Sequence, residues 1–465
     1  MNSAGTSSAA EAELSPILPV PSRKEMRKSL FRLSWPCAVE LILSSLIGVI
    51  TMVLISSLGK EAVSAIGITN QPIMIPNVVI QAFCVGGTAL VARSLGSQDE
   101  KTARQAAEQT LLLSIAFGFI TSAVLYFFGD YFILWLGATP DYFYMASLYM
   151  RYCAIGSFFQ SITNSIAALL RGAGRTRLSM YFNVIANIVN VIFGYALIHG
   201  IGPIPSLGIM GASIAQLVAK VIGCALALWI ILRPSALVIR PRVKKLFKPL
   251  PQIIKRICRI GASTAGEQVA LRVGLTAFTV YVVSLGTAEY AAHNIASSIH
   301  GYVVNFGQAI GIALVSLVGQ NLGAGRPDIA DRYFSEALKL SLLVSAVLMA
   351  ILLIFPVPIA RMFTSEPDVI ENISTALRIL AFFAAPQIIQ MAFCGGLRGG
   401  GDTKWPLIST MVGVLGMRMV MGYFFVIVWK MGLAGAWYSW LLDQTLRAIV
   451  IYLRYKSGKW KHIKV

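Results

Sequence analysis

The sequence predicts an all-α polytopic membrane protein: twelve transmembrane helices in two parallel-repeat six-helix bundles, both termini cytoplasmic. Three observations carry this. The 465 residues are 56% hydrophobic and only 13% charged, where a soluble domain has a charged fraction of about a quarter. Twelve apolar runs of about 20 residues or more, enough to cross roughly 30 Å of hydrocarbon as helix, recur along the whole chain. The chain also matches itself at a constant offset of 227 residues.

The apolar runs cover residues 34–58, 63–94, 106–128, 142–170, 178–199 and 208–232, then 261–285, 288–321, 335–356, 369–396, 405–429 and 433–453. Residues 1–30 read as a disordered cytoplasmic leader, because their start is rich in Ser, Ala, Pro and Glu and lacks the basic start and apolar centre of a signal peptide. Residues 31–232 form the first six-helix lobe and 261–453 the second. Between them, 233–260 is a basic cytoplasmic linker, and 454–465 is a basic cytoplasmic tail.

A net charge of +19 in a soluble protein would point to nucleic acid. Here its distribution matters more. The N-terminal segment, the connections after even-numbered runs and the C-terminal tail carry 29 of the 39 Lys and Arg, whereas the opposite side has only Lys60, Arg361 and Lys430. Cytoplasmic loops keep the excess of positive charge, so the basic side is the cytoplasmic one. The expected partners are the lipid bilayer and a small organic substrate, with no nucleic acid, and the chain is expected to act as a monomer. Six scattered Cys without a CxxC spacing indicate neither disulfides nor a metal site.

The offset of 227 pairs Arg32 with Arg259, Glu40 with Glu267, Gly59 with Gly286, Arg151 with Arg378, and Leu170-Arg171-Gly172 with Leu397-Arg398-Gly399. Later, Gly208-Ile-Met-Gly-Ala pairs with Gly432-Leu-Ala-Gly-Ala at 224, so the second copy lacks about three residues in the preceding loop. Six crossings per copy is an even number. The copies therefore enter the membrane the same way, and a site between the lobes is expected.

Acids inside apolar runs need a reason. Glu267 lies in the seventh run, and Arg272, five residues on, is about 140° round the helix and poorly placed to pair with it. A carboxyl left without a cationic partner in a low-dielectric cavity resists ionisation, and can take up and release a proton as its access to water changes. Glu267 and its repeat partner Glu40 are thus the candidate ion-coupling residues. Asp443 and Arg447 share one face of the last helix and are expected to form a structural ion pair. Asn183 and Asn187 follow one face of the fifth run, and Gln160, Asn164, Gln387 and Gln390 lie in the fourth and tenth. These suit a polar cleft lining or interhelical hydrogen bonds. Prolines 36, 72, 76 and 386 interrupt backbone bonding within runs and promote kinks. Of four His, only His293 and His300 share a run. No HExxH, Walker loop or GxSxG occurs, so no enzymatic constellation is present. The glycine clusters 171–174 and 398–401 follow helices rather than strands and read as tight turns.

Leu397-Arg-Gly-Gly-Gly-Asp-Thr-Lys-Trp-Pro406, its partner Leu170-Arg-Gly-Ala-Gly-Arg-Thr176, Val91-Ala-Arg-Ser-Leu-Gly96 and Gly208-Ile-Met-Gly-Ala212 occur in this order across a duplicated twelve-run chain. Over residues 30–455 the sequence resembles the multidrug and toxic compound extrusion (MATE) transporters. The resemblance implies two six-helix bundles around a central cleft and export by alternating access against an inward flow of protons or sodium ions, with no other cofactor. It implies substrates that are mostly amphipathic organic cations. It also implies an ion-site role for the acid matching Glu267. The family's acid in the first run falls at Thr51 and its acid in the tenth at Gln387, both uncharged here, while Gln390 matches the Gln that follows. Glu40 stands in for the first acid, protons suit two isolated Glu better than sodium does, and Ser263, Thr264 and Gln268 are the oxygen ligands available to sodium. The expectation is a plasma (inner) membrane antiporter whose cleft is lined by runs one, two, seven, eight and ten, with Thr51 and Gln268 also candidates for its lining. The alternatives are an exporter of organic anions or a lipid-linked oligosaccharide flippase of the same superfamily.

Overall fold

Hydrocarbon offers no partner for backbone N–H and C=O groups, so long apolar segments satisfy them locally as α-helix. The computed structural model does this along the chain. It describes residues 21–200, 205–233, 242 and 247–463. Twelve long helices follow in order: α1 (Arg23–Ser56), α2 (Lys60–Gly96), α3 (Glu100–Trp135), α4 (Pro140–Gly172), α5 (Thr176–His199), α6 (Gly208–Leu232), α7 (Pro251–Val283), α8 (Thr287–Gly323), α9 (Pro327–Ile354), α10 (Pro367–Gly399), α11 (Lys404–Val428) and α12 (Gly432–Lys456). A short helix, Pro356–Arg361, joins α9 to α10. Even the shortest of the twelve, α5 with 24 residues, rises about 36 Å, more than the roughly 30 Å of hydrocarbon.

Ten of the twelve are long and apolar enough to cross a membrane by length and composition alone. The other two, α7 and α12, are the helices that hold Glu267 and Asp443. Pro36, Pro72, Pro76 and Pro386 all lie inside helices. Helix α11 is irregular in another way: it is π-helical over Met411–Arg418 and again over Tyr423–Val428. π turns widen a helix and recur at functional sites.

Two sequence boundaries need correction. Residues 23–30, assigned to the leader, are the first two turns of α1, set by a capping box in which Ser22 and Glu25 bond each other's backbone N–H. Residues 1–20 lie outside the described residues. The linker ends at Leu250, where Pro251 opens α7 in the favoured first-turn position, and most of its basic stretch (234–241 and 243–246) lies outside the described residues. The tail packs on the second lobe: Trp460 is fully buried against Phe334 and Tyr455.

Helices α1 to α6 pack mainly on one another, as do α7 to α12, and the two lobes meet where α1 touches α8, α2 touches α7, and α2 crosses α8. The helix starts are exchanged across this interface. Met26 and Leu30 of α1 enter the core of the second lobe, and Ile253 and Ile257 of α7 enter that of the first. Arg27 of α1 pairs with Glu336 of α9 at 2.5 Å. In the matching place Gln109 of α3 bonds the backbone of Lys248 and Leu250 just before α7.

Close approach of α2 and α8 depends on two glycines 227 residues apart. A Cβ on Gly96 would collide with the Gln320 carbonyl, and one on Gly323 with the Arg93 carbonyl. Ser316 and Gln320 of α8 donate to the Gly172 carbonyl of α4, and Asn305 donates to Ser45 of α1 at 2.8 Å. Among the described residues, side-chain hydrogen bonds joining the lobes lie between mid-helix and the ends nearest the basic loops. The lobes are closed on that side.

Candidate functional site

In the first lobe the site begins with Glu40, one turn after Pro36 near the middle of α1 and 7% exposed. Three donors converge on it. Arg171, in the last turn of α4, approaches Oε1 at 3.2 Å; Asn183 of α5 donates to the same oxygen at 2.9 Å; Ser179, one turn earlier on α5, donates to Oε2 at 3.1 Å. The turn that brings Arg171 and α5 together is the glycine cluster: Gly174 has φ +73°, and its repeat partner Gly401 has +85°. A residue with a Cβ is strained there.

The second lobe repeats the arrangement. Glu267 of α7, 3% exposed, receives Arg398 of α10 at 2.6 Å on Oε2 and Thr410 of α11 at 3.5 Å on Oε1. Arg398 and Thr410 stand 227 residues after Arg171 and Asn183. An acid, an arginine and a polar residue of the fifth helix of the lobe thus recur as one unit.

Beyond that unit the second lobe adds charge. Arg447 of α12 donates to Thr410 Oγ1 at 2.8 Å, so it stands one hydroxyl from Glu267. On the same helix Asp443 binds Arg418 of α11, whose Nε lies at 2.9 Å from Oδ2 and whose Nη2 also reaches that oxygen. Arg418 lies over the face of Trp440 at 4.5 Å, a favourable seat for a desolvated cation. Arg418, Arg447 and Asp443 are all at most 1% exposed. The small Gly413 makes room: a Cβ there would strike Asp443 and the stem of Arg447. Next to this cluster His300 bonds Gln387 at 3.1 Å and packs on Trp440.

Two sequence expectations change. Glu267 and Glu40 are not isolated carboxyls: each has a guanidinium partner, contributed by the arginines of the two glycine-cluster turns. The Asp443–Arg447 pair does not form as a salt bridge, because Arg418 from the neighbouring helix takes Asp443 while Arg447 turns to Thr410. Spacing on one helix showed that the two residues share a face, but not which residue of α11 faces them.

The cleft candidates separate into groups. Asn183 is part of the Glu40 unit, and Asn187 bonds Ser44 of α1 at 3.0 Å. Gln160 and Asn164 bond each other along α4 at 2.8 Å. Gln387 joins His300, and Gln390 donates to Cys394 at 3.2 Å. Thr51 and Gln268 are half-buried on α1 and α7. Thr264, one turn before Glu267, is buried with its hydroxyl unpartnered. Among the described residues no group of three or more His, Cys, Asp or Glu is placed to hold a metal ion. Arg171, Arg398, Thr410 and Arg418 were not singled out as site residues from the sequence. The first three were within reach, since the offset that paired Glu40 with Glu267 also pairs Arg171 with Arg398 and Asn183 with Thr410.

A duplicated bundle of twelve long apolar helices, with lobes meeting at equivalent helices and a buried acid repeated in each, is the architecture of a membrane transporter. The MatE family model matches residues 36–196 and 264–424, a segment of equal length in each lobe, and the chain belongs to this family of multi-pass multidrug efflux transporters. It is 28% identical over 444 residues to a probable multidrug resistance protein NorM of Thermotoga maritima, covering 96% of this chain and 95% of that protein. It is 25% identical to the multidrug resistance protein PmpM of Pseudomonas aeruginosa, covering 97% and 96%. Among solved structures it resembles an outward-facing conformation of a multidrug resistance MATE family transporter, with TM-score 0.87, 22% identity and coverage of 93% and 97%. It also resembles a MOP superfamily transporter from Pyrococcus furiosus, whose reversed binding-pocket polarity suggests a different function for that protein. The TM-score is 0.86, with 23% identity and coverage of 93% and 97%. These structural likenesses carry the fold.

Proposed function

We propose that the protein is a secondary antiporter of the plasma (inner) membrane, exporting amphipathic organic compounds by alternating access as protons or sodium ions run inward, with both termini cytoplasmic. The observation behind this is the Glu267 unit: a buried carboxylate whose charge is balanced by Arg398 at 2.6 Å and which touches, through Thr410, a further buried arginine. A proton arriving on Glu267 removes the charge that holds Arg398. Glu267 is on α7, which packs on α2 of the other lobe, and Arg398 ends α10, which packs on α8. Neutralising one carboxylate therefore loosens a contact between helices that both border the interface. Protons are the preferred coupling ion because sodium wants a cluster of oxygen ligands, and among the described residues no group of three or more His, Cys, Asp or Glu is gathered here. The chemistry of transport is binding and conformational exchange, with no bond made or broken and no cofactor beyond the coupling ion.

A second substrate class is favoured by one count. The second-lobe cluster holds Arg398, Arg418 and Arg447 against Glu267 and Asp443, an excess of one positive charge, which suits organic anions. The test is a panel of labelled organic cations and anions in proteoliposomes under separate proton and sodium gradients. The proposal expects one class to accumulate under a gradient and to stop when an ionophore collapses it. Uptake that ignores both gradients would remove the antiport reading.

A further inference from the structure

The first lobe has a groove that shares no residue with the Glu40 unit. It is a cavity of about 410 Å³ between α5 and α6. Arg175, in the turn before α5, and Arg233, at the end of α6, both line it, so its mouth lies on the side of the basic loops. Below the mouth, α5 contributes Tyr181, Phe182 and Ile185, and α6 contributes Leu226 and Trp229. Tyr181 and Trp229 are about half exposed, as aromatic side chains at a membrane interface are. The Arg233 guanidinium sits 3.4 Å from the centre of the Trp229 ring. From Arg175 to Ile185 the helix rises about 15 Å, which is half of a roughly 30 Å hydrocarbon core. The groove therefore runs from the headgroup level to mid-bilayer, the reach of one leaflet.

Charge separates this groove from its repeat counterpart. No carboxylate lines it, and among the described residues neither Arg175 nor Arg233 forms an ion pair. In the second lobe the position matching Arg175 is Asp402, and the position matching Ile230 is Arg454. These two pair with each other at 2.6 Å, and Arg454 packs over Trp405. The second lobe closes its own charge at this place. The first lobe leaves two cations above an apolar slot.

We infer that the α5–α6 groove of the first lobe binds an anionic phospholipid, its phosphate between Arg175 and Arg233 and an acyl chain along Phe182, Ile185 and Leu226. Basic pockets between membrane helices on the positive side take acidic headgroups, and each arginine contributes about a fivefold gain in affinity. The occupant is a lipid rather than a free phosphate because the apolar part of the groove extends well below the charged mouth.

Native mass spectrometry of the purified full-length protein tests this, with phosphatidylglycerol and phosphatidylcholine of the same acyl chains added in turn. The wild type should bind one phosphatidylglycerol in preference to phosphatidylcholine. Arg175→Ala with Arg233→Ala should weaken that binding on the order of thirtyfold and leave phosphatidylcholine unchanged. Arg175→Asp, which copies the second lobe, should remove the preference, and the double lysine variant should keep most of it. Both arginines are exposed, and an unchanged melting temperature checks that the variants fold. Equal binding by the wild type and the double alanine variant overturns the inference. So does displacement of the lipid by an equal concentration of inorganic phosphate, which would make the mouth a site for a soluble anion.

Discussion

The two lobes share one site unit and differ in what surrounds it. Glu40, Arg171 and Asn183 form a closed set in the first lobe. Glu267, Arg398 and Thr410 form its copy in the second, where Thr410 passes the contact on to Arg447. At the positions matching Arg418, Asp443 and Arg447 the first lobe has Val191, Ala219 and Gly223. The spare volume has changed sides as well. In the second lobe Gly413 on α11 accommodates Arg447 on α12, whereas in the first Ala186 on α5 meets Gly223 on α6. Duplication kept the acid and its counter-ion in both lobes. The second alone holds a buried ionic extension, and the proposed coupling is placed there for that reason.

The largest expected effect comes from forcing the second lobe part of the way back to the first. Arg418→Val leaves Asp443 buried without its partner, which costs about 3 to 5 kcal/mol and should lower the melting temperature of the detergent-solubilised protein sharply. The double change Arg418→Val with Asp443→Ala copies the first lobe and should restore much of that loss. A double variant no more stable than the single one would contradict a paired role for these residues. Next comes the interface: Gly96→Ala or Gly323→Ala pushes a methyl group into a facing carbonyl, with a cost of about 1 to 3 kcal/mol. Spin-label distances between the basic-side ends of α2 and α8 should lengthen. Unchanged distances would show that the lobes do not rely on this crossing for closure. Smaller again is Thr410→Val against Asn183→Leu. Asn183→Leu removes one interhelical hydrogen bond and Thr410→Val removes two, at about 0.6 kcal/mol each, so melting should move little in either. Transport should fall further for Thr410→Val, because only that residue joins the acid to a second arginine.

The duplication and the span count were legible in the sequence because apolar length and a constant offset are properties of the chain itself. Glu267 stood out because a carboxylate in an apolar run has few bland explanations. Its partner did not, since Arg398 is 131 residues away and looked like one more basic residue in a turn. Only the fold shows that the last turn of α10 lies beside α7. Asp443 illustrates the same limit: Arg447 is four residues away on its own helix, yet Arg418 reaches it across 25 residues through the π-helical part of α11, a geometry that α-helical spacing does not describe. The exchanged starts of α1 and α7 were missed because their basic residues made those turns read as leader and linker.

The central claim is that the acids are unequal although their local units are alike. Proton-gradient-driven substrate uptake into proteoliposomes, compared between Glu40→Gln and Glu267→Gln at equal protein incorporation, tests it most directly. The account predicts that Glu267→Gln retains substrate binding but loses gradient-driven uptake, while Glu40→Gln still responds to the gradient. Equal uptake by Glu267→Gln and the wild type, or loss confined to Glu40→Gln, would contradict it.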